Sequence, residues 1–265
     1  MKLLWEGKGM NIYVIMKRTF DTEEKIQINN GEIVDDGAEF IINPYDEYAI
    51  EEAIVLRDAH GGEVTLVTVG DEDSEKELRT GLAMGADKAV LIEDEDVEDG
   101  DPYSTQEILA AYFKENEADI ILGGNVAVDG GSGQVGPRLA DKLGMNHVTS
   151  VVKVEVDGDK ALIEKDVEGD KEVLEVTLPV LLTAQQGLNE PRYPSLPGIM
   201  KAKKKPFETL DLDDLDLDED DVAGKTKVVE RYLPPAKEAG KTLQGDIADQ
   251  VKELVSLLKT EAKVI

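Results

Sequence analysis

Ile120-Ile121-Leu122-Gly123-Gly124-Asn125-Val126-Ala127-Val128-Asp129-Gly130-Gly131-Ser132-Gly133-Gln134-Val135-Gly136-Pro137 decides how this chain reads. Ile120 to Leu122 is a short apolar run, as expected of a buried strand. A glycine-rich loop follows, and Gln134 to Leu143 predicts a helix. In a parallel α/β sheet, a loop of this kind sits at the carboxyl ends of the strands, where ligands bind. Its glycines let backbone N–H groups approach an anion closely. The helix start adds free donors and a positive dipole end. We read a phosphate cradle in preference to a plain tight turn. Gly131 to Gly136 formally matches G-x-G-x-x-G, but it stands too far from the strand to be a dehydrogenase fingerprint. Gly224-Lys225-Thr226 and Gly240-Lys241-Thr242 lack the earlier glycine of an ATP-hydrolysing phosphate loop.

The same alternation extends outward from this loop. Asn11 to Met16, Val64 to Val69, Ala89 to Ile92 and Val180 to Thr183 read as further strands. Asn43-Pro44 predicts a helix start, with Asn as cap, Pro in the first turn, and Asp46 and Glu47 at the positive end. That helix stops at Gly61-Gly62, and Ser74 to Met84 and Thr105 to Lys114 predict two more. The expected fold is α/β, a doubly wound, mainly parallel sheet of the Rossmann-like, adenine-nucleotide-binding kind. Ile26 to Val34 reads as a hairpin turning at Asn29-Asn30-Gly31. Val151 to Val156, Ala161 to Val167 and Glu172 to Thr177 alternate apolar and polar residues, which predicts an antiparallel strand meander on the parallel core.

Composition narrows the function. The chain has no cysteine, which excludes disulfides, thiolate metal sites and a Cys nucleophile. His60 and His147 are too few for a multi-histidine metal centre. Acidic residues outnumber basic ones 58 to 29, so nucleic acid and anionic membranes are poor partners. A solvated acidic surface and an adaptation to high salt would both give this balance. No apolar run reaches the roughly 18 residues of a membrane span, so no membrane insertion and a cytoplasmic location are expected. Met1 to Gly9 does not read as a signal peptide and is taken as an extension before the first strand. Glu93 to Asp101 and Asp211 to Asp221 are acid-rich and are expected to be solvated loops.

Beyond Gln185 the periodicity fades, because Pro191, Pro194 and Pro197 break helix and central strand alike. Tyr193, Leu196, Ile199 and Met200 are apolar anchors beside the basic run Lys201-Ala202-Lys203-Lys204-Lys205. A docking loop has this composition. So does a loop that packs on its own core with solvated lysines. Ile247, Val251, Leu254, Val255 and Leu258 share one face of a terminal helix, which either grips another subunit or folds back. Lys17 and Arg18, ending the first strand, either balance phosphate charge or are an ordinary solvated strand end.

Leu188-Asn189-Glu190-Pro191-Arg192-Tyr193, then Leu196-Pro197, then Ile199 to Lys205 resemble the signature of the beta (small) subunit of electron-transfer flavoproteins. Val14 to Arg18, Asn43-Pro44, Ala83-Met84-Gly85-Ala86-Asp87, Asp129-Gly130 and Gln134 to Pro137 extend the likeness from about Met10 to the C-terminus. The resemblance implies a heterodimer with an alpha subunit that holds most of the FAD, closed over by the beta subunit. It implies an electron carrier, with no catalytic acid or base and no metal. Such a carrier takes electrons from acyl-CoA and related dehydrogenases of fatty acid β-oxidation and passes them to a quinone oxidoreductase. It implies a structural AMP held by Ile15, Asn43, Pro44, Tyr45, Asp46, Val69, Ala127, Val128, Asp129, Gly130, Gly131, Ser132, Gly133, Gln134, Val135, Gly136 and Pro137. In some relatives a second FAD takes the AMP place and electrons from NADH are bifurcated. A nucleotide-binding regulatory module would explain the core and the loop but not the arm.

Leu188, Asn189, Glu190, Pro191, Arg192, Tyr193, Leu196, Pro197, Ile199, Met200, Lys201, Lys203, Lys204 and Lys205 match the family's recognition loop, with Leu196 entering an apolar pocket on the dehydrogenase. The expected plan is an extension over 1–9, an α/β nucleotide-binding domain over 10–205 including the loop 188–205, and an arm and helix over 206–265 against the alpha subunit.

Overall fold

A computed structural model describes residues 9–94, 97, 100–237 and 239–265. The expected extension lies outside them apart from Gly9, as do Glu95, Asp96, Glu98 and Asp99 of the first acidic run. The chain runs β1 (Met10–Ile15), β2 (Arg18–Phe20), β3 (Gln27–Asn29), β4 (Glu32–Val34), β5 (Phe40–Ile42), α1 (Pro44–His60), β6 (Gly62–Gly70), α2 (Glu75–Met84), β7 (Lys88–Glu93), α3 (Pro102–Glu115), β8 (Ile120–Gly124), α4 (Val135–Leu143), β9 (Asn146–Asp157), β10 (Lys160–Val167), β11 (Asp170–Thr177), β12 (Val180–Ala184), α5 (Leu196–Ala202), β13 (Phe207–Leu210), α6 (Glu219–Val222) and α7 (Ile247–Thr260).

The main sheet has the order β11-β10-β9-β12-β8-β1-β6-β7-β13. Neighbours from β9 across to β13 are parallel. β9, β10 and β11 form the expected antiparallel meander. Alternate side chains of each central strand enter different cores. Ile12, Val14, Leu66, Leu91, Ile120, Leu122 and Leu182 pack with Ala49, Ile50, Ala53 and Ile54 of α1 and Leu78 and Leu82 of α2. Val67, Val90, Ile92, Ile121 and Leu181 pack with Ile108, Leu109 and Tyr112 of α3 and Leu139 of α4. Burial on both faces is why these strands read as continuous apolar runs.

Chain direction through the sheet reverses beside β1. β6 and β7 follow on one side of it, and β8 and β12 lie on the other. At such a switch point the connections leave the carboxyl ends of β1 and β8 in opposite directions, and a crevice opens between them.

Three features escaped the periodicity. The proline-rich segment contains a short helix, α5. Pro197 occupies its first turn, where no amide hydrogen is needed, and Ser195 Oγ accepts from Gly198 N at 3.1 Å. Phe207–Leu210 pairs with β7 as the parallel edge strand β13, so the boundary drawn after 205 passes through the sheet. The run Asp211 to Asp221, expected as a solvated loop, is only half solvated. Its acids are exposed, but Leu212 and the following Val222 are buried in the second core, with Leu215 and Leu217 packed beside them. The chain leaves the core only beyond Val222. α7 forms where predicted and buries no residue; Ile247, Val251, Leu254 and Val255 are exposed.

Candidate functional site

The crevice at the switch point is a cavity of about 590 Å³. Ile15 and Lys17 reach it from the end of β1, and Val67 and Val69 from β6. The stretch after β8 supplies its largest wall, and Ser104, Thr105 and Leu109 of α3, with Asp101 just before that helix, close it. Of the residues predicted for an AMP, Ile15, Asn43, Asp46, Val69, Ala127, Asp129, Gly130, Gly131, Ser132, Gly133, Gln134, Val135 and Gly136 line the cavity. Pro44, Tyr45, Val128 and Pro137 are not among its lining residues.

The loop is held from α1. Asn43, expected to cap that helix, makes no capping hydrogen bond. Its Nδ2 instead donates to Val126 O at 2.9 Å, and its Oδ1 accepts from Val128 N at 3.1 Å. The Asp46 carboxylate accepts from Lys17 N and Gly124 N, both at 2.7 Å, and so bridges the two diverging strand ends. Burial pushes this carboxyl up to about 7, against the lowering effect of those amides. Asn125 ties the loop to the neighbouring strands, its Oδ1 accepting from Thr183 Oγ1 at 2.8 Å and Ser150 N at 3.1 Å.

The glycines divide by purpose. A Cβ on Gly124 would stand 2.3 Å from Asp46 Oδ1, and one on Gly123 2.7 Å from Ile15 Cγ1. These two serve close packing. Gly131 and Gly133 adopt φ of +64° and +59°, which turns the loop into α4. Gly130 has nothing within 4 Å of a Cβ position and opens on the cavity. Among the described residues, no hydrogen bond engages the backbone amides of Ser132 to Gly136, all of which line the cavity. Free consecutive amides at a helix start are a set of donors suited to a phosphate.

The expected pair of cations reduces to one. Arg18 is turned to carboxylates, 3.3 Å from Asp71, 3.4 Å from Asp73 and 3.5 Å from Glu77, and lies over the Phe40 ring. Lys17 Nζ remains on the wall, 2.6 Å from Asp129 Oδ2. A phosphate placed here would therefore be met mainly by backbone amides.

Asp101 reads in the sequence only as the end of a solvated acidic run. Its Oδ1 caps α3, accepting from Tyr103 N at 2.8 Å and Ser104 N at 3.3 Å. Its Oδ2 accepts from Lys225 N at 2.9 Å and Thr226 N at 2.8 Å, fastening the start of the arm to the cavity rim. Burial raises this carboxyl, but hydrogen bonds from Thr226, Tyr103, Lys225 and Ser104 outweigh that and hold it below the usual range. Asp101-Pro102 is the same polar-residue-then-proline signal as Asn43-Pro44 and would have found it.

The proline-rich arm presents some residues and anchors others. Tyr193, Leu196 and Met200 are 94%, 80% and 73% exposed. Ile199, Lys201, Lys203 and Lys204 are exposed too, as are Glu190 and Pro197, while Pro191 is half-buried. The three lysines enter no ion pair among the described residues. Leu188 packs on the first core. Asn189 Nδ2 donates to Tyr48 O and Glu52 Oε2, both at 3.0 Å. Arg192 grips the Glu51 carboxylate with Nε at 2.7 Å and Nη2 at 2.8 Å. Lys205 Nζ turns inward to Leu82 O at 3.0 Å and to Ala86 O, and burial lowers its pKa. Asn189, Arg192 and Lys205 were expected to dock a partner; here they hold the arm down.

Among the described residues, no cluster could hold a metal ion and no helix is long and apolar enough to cross a membrane. The model of the electron transfer flavoprotein domain matches residues 31–215. The chain belongs to the electron transfer flavoprotein family.

Its relatives place it more narrowly. It is 66% identical over 257 residues to the electron transfer flavoprotein subunit beta of Bacillus subtilis, covering 97% of this chain and 100% of that one. The subunit beta of Thermoanaerobacterium thermosaccharolyticum is 41% identical over 95% of this chain and 98% of its own. A subunit of the caffeyl-CoA reductase-Etf complex of Acetobacterium woodii is 38% identical over 94% of this chain and 98% of its own. Within the family, the chain is of the beta-subunit type.

Proposed function

We propose that this chain pairs with an alpha subunit, closes over that subunit's FAD, and holds an AMP in the switch-point cavity. The carrier so formed takes electrons from acyl-CoA and related dehydrogenases and delivers them to a quinone oxidoreductase. The observation that carries the nucleotide assignment is the run of free amides from Ser132 to Gly136 along one cavity wall. They suit a phosphate, while Ile15, Val69 and Leu109 offer apolar wall to a base. FAD supplies the redox chemistry when bound. This chain's own residues bind, orient and exclude water, and no proton-transfer step is assigned to them. The exposed stripe of α7 and the exposed Val229 and Tyr232 of the arm suit burial against the alpha subunit.

The test is to purify the heterodimer, denature it and identify the released nucleotides by mass spectrometry. One AMP with one FAD supports the reading. Two FAD and no AMP would move the chain to the bifurcating kind with NADH as donor. An absence of any nucleotide beyond the single FAD would overturn the assignment of the cavity.

A further inference from the structure

We propose that the groove between α2 and α5 receives an acidic side chain of the electron-donating dehydrogenase. The proposal rests on the docking reading of the arm and adds a contact running the opposite way. Leu196 projects from this chain, whereas the groove takes a group from the partner.

The groove encloses about 500 Å³. Ala83, Ile199 and Ala202 give it apolar surface, and Glu75, Arg79 and Lys203 surround them with charge. Glu75 is already paired with Arg79 at 3.0 Å, so among the described residues Lys203 is the lining charge left without an ion pair. Its walls are fixed in advance. A Cβ on Gly198 would stand 2.5 Å from Ala83 O, so α5 sits directly on the end of α2. Arg79 Nη1 donates to Ala202 O at 3.1 Å, and its guanidinium lies 4.3 Å from the centre of the Phe207 ring. A preformed groove needs no ordering when it is filled.

Charge selects the occupant. The chain carries a net −29, so most of its surface repels an acidic partner. Lys201, Lys203 and Lys204 are exposed beside the groove, and no carboxylate among the described residues pairs with them. Three such lysines within four residues make this face attractive to an acidic group. Leu196, Ile199, Met200 and Lys203 follow the spacing of a single helix face. A partner that seats Leu196 must therefore lay its own surface across Ile199 and Lys203. A glutamate or aspartate with an apolar stem or neighbour matches both the apolar surface and the Lys203 ammonium at the rim.

The FAD-loaded heterodimer tests this, with an acyl-CoA dehydrogenase and its acyl-CoA substrate as electron source. Thr80→Trp fills the groove from an exposed position whose hydroxyl bonds only within its helix, to Lys76 O. Lys203→Glu reverses the rim charge. Each should raise KM for the heterodimer by about two- to five-fold, with FAD content and reduction by dithionite unchanged. The Lys203→Glu effect should shrink as salt is raised. Leu196→Ala runs alongside. If it raises KM while Thr80→Trp and Lys203→Glu do not, the groove proposal is overturned and the docking of Leu196 stands. If none of the three changes KM, both fall. If only Thr80→Trp and Lys203→Glu raise it, the groove stands and the insertion of Leu196 does not.

Discussion

Alanine at Gly124 and alanine at Gly130 make the same covalent change in the same loop, and the structure predicts opposite results. At Gly124 the new Cβ meets Asp46 Oδ1 at 2.3 Å, Tyr45 Cβ at 2.7 Å and Asn43 Nδ2 at 2.9 Å. These atoms belong to the brace that joins the glycine loop to α1, so they cannot move freely. Overpacking of this kind costs about 1–3 kcal/mol. Displacing Asp46 also breaks its 2.7 Å bond from Gly124 N and leaves a buried polar group unpaired. That adds about 1–3 kcal/mol. The total of roughly 2–6 kcal/mol lowers the melting temperature by about 4 °C at the least in a chain of this size. At Gly130 nothing lies within 4 Å of the Cβ position, and alanine should stay within about 0.5 kcal/mol of wild type. Calorimetric melts of the two purified variants in the heterodimer decide the matter. Equal melting temperatures for both variants would refute the division of the glycines into packing and ligand-facing sets. Gly130→Trp carries the argument to function. It should fold but lose the bound nucleotide, because its side chain would occupy the cavity.

Two further outcomes are expected. Asp46 binds its proton more tightly in the folded chain than in the unfolded one, since its folded value is raised to about 7. Its stabilising contribution is therefore complete in acid, below the unfolded value near 4, and is lost as pH rises through 7. The stability of wild type relative to Asp46→Asn should fall by about 1.4 kcal/mol per pH unit between roughly pH 4 and 7. A pH-independent difference in denaturant melts would contradict this. Asp101→Ala removes the cap of α3 and the fastening of Lys225 and Thr226 together. It should cost about 1–2 kcal/mol and speed proteolytic cleavage near Lys225, and an unchanged digestion pattern would sink the fastening role.

The parallel core was legible because both sheet faces are buried. Ile12, Leu66 and Ile121 stand in runs that are apolar without alternation, and Asn43-Pro44 and Gly61-Gly62 mark the ends of α1 with residues suited to a helix start and stop. The meander was legible for the opposite reason, one solvated face and a strict alternation. α5, β13 and the leucines of the acidic run were not. Each is short, and each is held by contacts with distant residues rather than by its own pattern. Ser195 and Gly198 signal nothing until Ala83 lies against them.

The candidate site divides along the same line. The sequence alone determined that a glycine loop follows a strand and opens a helix. Local backbone chemistry is enough for that, because glycine and proline act on their own dihedrals. It also determined which stretches are apolar, basic or acidic. Only the tertiary structure decided what each side chain does. Arg18 is drawn away from the cavity because Asp71, Asp73 and Glu77 surround it, and Lys205 turns inward because α2 ends in carbonyls within its reach. Asn43 gives up its cap to hold Val126 and Val128. In each case the partner lies far away in sequence, and a hydrogen bond or ion pair depends on a few ångströms that only the packed chain sets.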